Sequence, residues 1–235
     1  MSSEELPLDK PQRVHRYALI VRVAHWTNLL CLTILLMSGL QIFNAHPSLY
    51  WGEDSDFDRP LTAVGAFPGW LTIPSFQDLA TGRVWHFFFG WLFVINGLVY
   101  ATYCAASGRL ARDLTPARGD WHRIRSTVRD HLMLRFPRGP GAANYNVLQR
   151  LAYLSVVFVL APLIILTGLT MSPAVNAAMP WLLDLFGGRQ SARTIHFIIA
   201  ALFVSFAVVH VMLVALSGFL NNLRSMITGW FSIAR

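Results

Sequence analysis

Four long runs of apolar residues alternate with polar segments along the 235-residue chain. They lie near residues 17–43, 84–106, 148–171 and 194–220, and we refer to them as spans I to IV. Each reaches the roughly 20 residues that a helix needs to cross a bilayer core of about 30 Å. The pattern predicts an all-α membrane protein in which four transmembrane helices form a bundle surrounded by lipid. Because no internal repeat or low-complexity tract is visible, we expect residues 1–235 to form one domain.

Composition places the chain in the same class. Hydrophobic residues make up 54% of it and charged residues only 13%, with a mean hydropathy of +0.47, whereas soluble domains are about 25% charged. The first 16 residues contain acids as well as bases and lack a short apolar core, which is unlike a cleaved signal peptide. We therefore expect span I to remain in the protein.

The distribution of basic residues predicts the orientation. Fifteen of the 19 lysines and arginines lie up to Arg22, within 109–150 or after span IV, whereas segments 44–83 and 172–193 carry two each. By the positive-inside rule, we expect both termini of this multi-pass membrane protein to be cytoplasmic. A pI of about 10.1 would also suit nucleic-acid binding. A one-sided excess of arginine is explained by topology, however, so we expect no nucleic-acid partner.

Four histidines lie inside the apolar spans: His25 in span I, His86 in span II, and His196 and His210 in span IV. Alternating span directions place His25 and His210 near the inner face, and His86 and His196 near the outer face. The 14 residues between His196 and His210 correspond to about 21 Å at 1.5 Å per residue and bring both side chains to nearly the same helix face. The histidines therefore form two pairs matched in depth.

A pair of imidazoles in a membrane span favours a metal-bound cofactor. One such histidine is ambiguous, because it can simply hydrogen-bond to a neighbour, but ionisable side chains inside spans are costly and usually have a partner. Paired imidazoles suit bis-histidine ligation of haem iron, whereas zinc prefers four ligands. Cys31 and Cys104 form no CxxCH motif, which excludes covalent haem attachment, and we expect them to be packing residues. The sequence thus predicts two noncovalently bound b haems.

The motif R-x-x-H occurs three times, each time at the start of a span. Arg22 precedes His25, Arg83 precedes His86, and Arg193 precedes His196. An arginine at this spacing shares the helix face of its histidine, so it could pair with haem propionates. Interfacial anchoring by snorkelling arginines is the alternative interpretation.

Glycines on the histidine faces of two spans would leave room for a porphyrin. Gly39 lies 14 residues after His25, and Gly97 lies 11 residues after His86, so each is predicted to approach the haem that its own histidine does not bind. Glycine in membrane helices also serves close helix packing. Gly90, Ala200 and Ala207 could serve either purpose.

These features resemble the membrane-bound bacterial cytochrome b561 superfamily, which includes the b subunits of nickel-iron hydrogenases, formate dehydrogenases and thiosulfate reductases. The resemblance rests on His25-Trp26, on His86, and on His196 with His210 fourteen residues after it, and residues 39–52 are most similar to the thiosulfate-reductase type. It implies a dihaem four-helix bundle that passes electrons between the quinone pool and a periplasmic oxidoreductase partner, with a molybdopterin enzyme as one candidate. It also implies His25 with His210 as ligands of the inner haem, and His86 with His196 as ligands of the outer haem.

An alternative function is a self-sufficient membrane oxidoreductase, such as a superoxide:quinone oxidoreductase. The outer segments 44–83 and 173–190 favour the electron-transfer subunit, because a diffusible small oxidant needs no docking surface, although these segments could equally cover the outer haem. The second segment predicts one short interfacial helix that ends at Gly187-Gly188.

Several other polar residues could contribute to function. We expect any quinone to bind near the inner haem, where Asn28 could donate a hydrogen bond to it or could instead join two helices. Asp54, Asp56 and Asp58 alternate as in a calcium loop but lack its glycine and glutamate. The remaining histidines, which we do not predict to be ligands, are His15, His46, His122 and His131.

Overall fold

A computed structural model describes residues 12–116, 118–133 and 146–233. Within these ranges four helices are long and apolar enough to cross a membrane, which confirms the predicted fold class. The four spans are Leu19–Asn44, Leu79–Ala106, Val147–Thr170 and Arg189–Leu216.

Three span boundaries differ from the prediction by four or five residues, and one of them is the start of span IV, at Arg189 rather than residue 194. Span II begins five residues before position 84, since the Asp78 side chain caps the helix by accepting a hydrogen bond of 3.0 Å from the Thr81 backbone N–H. Hydrogen bonds from Thr81 also lower the pKa of Asp78. Span IV ends at Leu216 rather than residue 220, because Gly218 adopts a φ of 109° and a separate helix, Phe219–Thr228, follows.

Span III is composed of three segments. Two α-helices, Val147–Ser155 and Ala161–Thr170, flank a π-helical turn at Val156–Leu160. Pro162 lies in the first turn of the second helix. Because proline has no backbone N–H, it interrupts the hydrogen-bond ladder at this turn.

The spans pack as two neighbouring hairpins, with span I along span II and span III against span IV. The side chain of Asn96 in span II donates hydrogen bonds to Asn28 Oδ1 at 2.7 Å and to the Ala24 carbonyl at 3.0 Å. Asn28 therefore joins spans I and II, which was one of the two roles predicted for it. Span IV contacts the first hairpin through aromatic pairs, including Phe43 stacked on Phe197 at 4.8 Å.

The distribution of buried residues is that of a protein in lipid. The side chains with almost no exposed surface are small or polar, which allows helices to approach closely in a membrane. They are Gln41, Thr167, Thr170, Thr194, Cys31, Cys104, Ser38, Ser191 and Ser225. Large apolar side chains along the spans, such as Leu30, Phe88, Leu98 and Val208, are instead exposed on the outside of the bundle.

The two ends of the described chain meet at one end of the bundle, which we call the inner end. Strand β1 (Gln12–His15) pairs antiparallel with strand β4 (Trp230–Ile233), and the Arg16 guanidinium lies 4.8 Å from the centre of the Phe231 ring. Between spans II and III the described residues form a π-helical turn, a 3-10 helix and an α-helix. These are Leu110–Leu114, Arg118–Arg123 and Ile124–Leu132.

The opposite, outer end is covered by residues 44–83 and 171–188. Strands β2 (Ser48–Leu49) and β3 (Thr62–Ala63) form a small antiparallel sheet, followed by a 3-10 helix at Gly69–Leu71. The prediction of one helix over 173–190 is wrong, because two short helices form there. They are Pro173–Ala178 and Trp181–Leu185.

The break between these short helices lies at Met179-Pro180. Met179 has a φ of −139° and a ψ of 67°, outside the helical region, as proline disfavours helical backbone at the residue before it. Gly187 and Gly188 then end the second helix with positive φ angles, as predicted. The Gly52 carbonyl accepts hydrogen bonds from the backbone of Gln190 at 3.0 Å and Ser191 at 3.2 Å, which attaches the outer segment 44–83 to span IV.

We predict that Gly188→Ala weakens this attachment. A Cβ on Gly188 would lie 2.6 Å from the carbonyl carbon and oxygen of Gly52, and its φ of 105° with a ψ of 169° belongs to a region open almost only to glycine. Strain of this kind destabilises by about 1–3 kcal/mol. Limited proteolysis in detergent should therefore cleave the outer segment faster than in the wild type.

Gly65→Ala is the matched control for this substitution. Gly65 also has a positive φ, of 85°, but no atom lies within 4 Å of the position that its Cβ would occupy. Equal rates of cleavage in the two variants would show that contact with Gly52 is not what holds the segment.

Candidate functional site

The structure brings together the two pairs of histidines from the spans. The ring centroids of His25 and His210 are 6.2 Å apart with an interplanar angle of 61°. Those of His86 and His196 are also 6.2 Å apart, with an angle of 60°. His196 and His210 belong to the same uninterrupted helix, which separates the pairs by about 21 Å along its axis.

Both rings of the outer pair contact a hydroxyl group on the preceding span. Ser38 Oγ lies 3.1 Å from His86 Nδ1, and Thr167 Oγ1 lies 3.0 Å from His196 Nδ1. Each hydroxyl also donates its proton to a helical carbonyl four residues earlier, at 2.7 Å in both cases. Because a hydroxyl has one proton, we assign Nδ1–H as the donor to the oxygen, and this tautomer leaves the Nε2 lone pair available as a ligand.

A glycine next to each hydroxyl allows the imidazole to approach the helix backbone. A Cβ on Gly39 would lie 3.3 Å from His86 Cε1, and one on Gly168 would lie 3.3 Å from His196 Cε1. Gly39 was predicted to leave room for the outer haem, and it lies beside His86, a predicted ligand of that haem; room for the porphyrin stays a prediction. Spans I and III thus use the same pair of residues, a hydroxyl followed by glycine, against a histidine of the next span.

The sequence reasoning missed Ser38, Thr167 and Gly168. The signal that could have found them is the short motif Ser-Gly-Leu in span I and Thr-Gly-Leu in span III. Each copy lies near the outer end of its span, at the depth of one predicted ligand.

The inner pair has aromatic rather than hydroxyl neighbours. The Phe206 ring stacks on His210 at 5.8 Å, and Trp26 meets His25 edge to face at 5.3 Å. Trp26 in turn donates a hydrogen bond of 3.2 Å to the Met226 carbonyl of the last helix. Among the described residues, His25 and His210 have no hydroxyl partner of the kind found at the outer pair.

The three arginines of the R-x-x-H motif have different surroundings. Arg193 donates to the Ser48 carbonyl at 2.8 Å and to the His46 carbonyl, and so holds strand β2 against span IV. Arg22 donates to the Ile227 carbonyl, at the end of the helix Phe219–Thr228. Arg83 is exposed, 5.6 Å from the centre of the Phe87 ring. Contact of all three with propionates remains a prediction.

Other candidate residues lie apart from the pairs. No atom lies within 4 Å of a Cβ placed on Gly97, and the nearest atom to one on Gly90 is Leu35 Cδ2 at 4.0 Å. His46 contacts the Tyr50 hydroxyl at 2.9 Å, and His15 packs on the edge of Trp230. The described residues bring no three potential metal-ligating side chains together, Asp54, Asp56 and Asp58 included. Cys31 and Cys104 are buried free thiols.

Comparison with known proteins gives the family. The sequence profile of the prokaryotic cytochrome b561 family matches residues 16–229. The chain belongs to this family. It is also 34% identical, over 205 residues, to a protein of Azospira oryzae named "Putative protein-methionine-sulfoxide reductase subunit YedZ1", with 83% of the chain and 88% of the relative covered.

Membership of the prokaryotic cytochrome b561 family gives the site its chemistry. Proteins of this family are membrane cytochromes that bind haem b. Together with the four long apolar helices, the match identifies the chain as a multi-pass bacterial membrane protein and a haem-b electron-transfer subunit.

We predict that Gly39→Ala and Gly168→Ala each reduce the haem bound per chain. The added Cβ, at 3.3 Å from the imidazole, must displace the ring by a few tenths of an ångström, although alanine favours the helix itself by about 1 kcal/mol. Gly90→Ala is the matched control, because its Cβ would make only ordinary contact with Leu35. Haem content is measured by absorbance relative to protein, and an equal loss in all three variants would contradict the prediction.

Proposed function

We propose that this chain is a dihaem b-type cytochrome subunit that moves electrons across the bacterial inner membrane between the quinone pool and a periplasmic oxidoreductase. The observation that carries the proposal is the equal separation of two histidine pairs, at two depths of one bundle. In this proposal residues 1–235 act as a single dihaem domain.

The separation within each pair fits coordination by two imidazoles. Two rings bound through Nε2 on opposite sides of one metal at about 2.0 Å would have centroids about 6.2 Å apart, since each centroid lies about 1.1 Å behind its nitrogen. The observed 6.2 Å in both pairs agrees with this value. The hydroxyl contacts at Nδ1 in the outer pair support it further, because they direct Nε2 away from the helix that carries the hydroxyl.

The residues of the chain have distinct roles in this proposal. Haem b, when bound, supplies the one-electron redox couple that amino-acid side chains lack. His25 with His210, and His86 with His196, would hold it with two imidazoles to each iron, so that it would supply electron transfer rather than substrate binding.

Residues around the ligands complete the two sites. Arg22, Arg83 and Arg193 provide positive charge one helical turn from their histidines, where propionates would lie. Gly39 brings His86 close to span I, and Gly97 keeps its part of span II free of side-chain bulk.

The proposed orientation places the inner end in the cytoplasm. Both ends of the described chain lie there, together with the arginine-rich segment between spans II and III. An excess of arginine is typical of cytoplasmic segments. The pair His25 and His210 then lies near the cytoplasmic face, and the pair His86 and His196 near the periplasm.

The outer end offers a surface for a protein partner. Trp51 and Trp70 expose 63% and 76% of their surface, and Phe57 exposes 74%. Aromatic residues are enriched in protein interfaces. The name of the Azospira oryzae relative, a reductase subunit, supports a subunit role for this chain. We propose a periplasmic oxidoreductase as its partner, with a molybdopterin enzyme as one candidate.

We predict that the purified wild type binds two b haems and that the histidines act in pairs. Replacing either His25 or His210 by alanine should remove one spectral component, and replacing either His86 or His196 should remove the other, because a bis-histidine site needs both ligands. A pyridine hemochrome assay counts the haems and low-temperature spectra separate the components. His46→Ala, outside both pairs, should retain both. Loss of different components within one pair would refute the pairing.

We predict that quinol delivers electrons at the inner haem. A transmembrane route requires the quinone and the periplasmic partner at opposite ends, so His196→Ala should still be reduced by a quinol analogue through its remaining inner haem. His25→Ala, which retains only the outer haem, should be reduced far more slowly. Stopped-flow absorbance measures both rates. Faster reduction of His25→Ala than of His196→Ala would place the quinone at the outer end instead.

A further inference from the structure

The two histidine pairs differ in what holds the second nitrogen of each ring. In the outer pair, Ser38 Oγ and Thr167 Oγ1 lie 3.1 Å and 3.0 Å from Nδ1 of their histidines, and both residues are fully buried. The inner pair has no such hydroxyl among the described residues. The two hydroxyls come from different spans, I and III, so the difference between the pairs does not depend on the packing of one helix.

Each hydroxyl is oriented by its own helix. Ser38 donates to the Ile34 carbonyl and Thr167 to the Leu163 carbonyl, both at 2.7 Å. With its proton committed, each oxygen presents a lone pair to Nδ1–H. An imidazole that donates through Nδ1 is a more basic ligand through Nε2, and a more basic ligand favours the ferric over the ferrous state of its iron.

We infer that Ser38 and Thr167 are positioning residues that lower the midpoint potential of the outer haem. The inference rests on the proposed function, because it requires His86 and His196 to be axial ligands. The two hydroxyls contact different histidines of the outer pair, which would bind the same iron, so their effects should add. Neither residue touches the inner pair, and the potential of the inner haem should not depend on them.

The test is potentiometry of the haem-loaded protein in detergent, with the two haems resolved by their spectra. Ser38→Ala and Thr167→Val should each raise the midpoint potential of the outer haem and leave that of the inner haem unchanged. The double variant should change the ferric–ferrous equilibrium by about tenfold, which is about 59 mV for a one-electron couple. Electron paramagnetic resonance of the ferric protein should show altered g values for the outer haem alone.

The spans contain matched controls for the loss of a helical hydroxyl. Thr33 donates to the Leu29 carbonyl at 2.8 Å and Ser205 to the Ala201 carbonyl at 2.9 Å, but neither bonds to a histidine. Thr33→Val and Ser205→Ala should therefore leave both potentials as in the wild type. Ser38→Thr and Thr167→Ser retain the hydroxyl and should keep the outer potential near the wild-type value even if the apolar variants lose the haem.

Two results would overturn the inference. One is an outer potential in Ser38→Ala and Thr167→Val equal to that of the controls, and the other is an equal change in both haems. Failure of the proposed function is separately visible, because it would appear in the wild type as fewer than two haems or as histidine variants that do not segregate into pairs.

Discussion

An imidazole inside a membrane span has two ring nitrogens that lipid cannot satisfy, and most of the bundle's internal arrangement follows from this constraint. At the outer pair, one nitrogen of each ring contacts a hydroxyl from the preceding span, and the two ring centroids lie 6.2 Å apart. Gly39 and Gly168, beside the hydroxyls, serve the same contact, because a Cβ at either position would lie 3.3 Å from the imidazole and displace it. Span IV supplies one histidine to each pair and so connects both depths.

The same local arrangement occurs in both hairpins, although the sequence shows no long repeat. Ser38-Gly39 of span I contacts His86 of span II, and Thr167-Gly168 of span III contacts His196 of span IV. The likeness stops at the inner end, where His25 has no counterpart in span III. The outer pair thus has hydroxyl contacts to both of its rings, whereas the inner pair has ring contacts with Phe206 and Trp26.

The sequence predicts the features that depend on helical periodicity and bilayer thickness. The four spans and the two histidine pairs belong to this group, because residue spacing along a helix converts directly into depth and direction. Contacts between the spans and the segments outside them could not be predicted from residue spacing. Arg193 binds carbonyls of a segment about 145 positions away in the chain, and the split at Met179-Pro180 depends on one residue's backbone. The role of Asn28 depends on Asn96, which donates a hydrogen bond to it from the neighbouring helix and is distant from it in the chain.

The sheet formed by β1 and β4 has a consequence for biogenesis. Its first strand precedes span I and its last strand follows span IV, so the pairing requires both strands to lie on the same side of the membrane, as they do when all four spans have crossed it. A chain with one span left outside the bilayer would carry its two strands on opposite faces, where they cannot meet. The sheet therefore stabilises the completed topology, and the contact of Arg16 with the Phe231 ring contributes to the stability of the sheet.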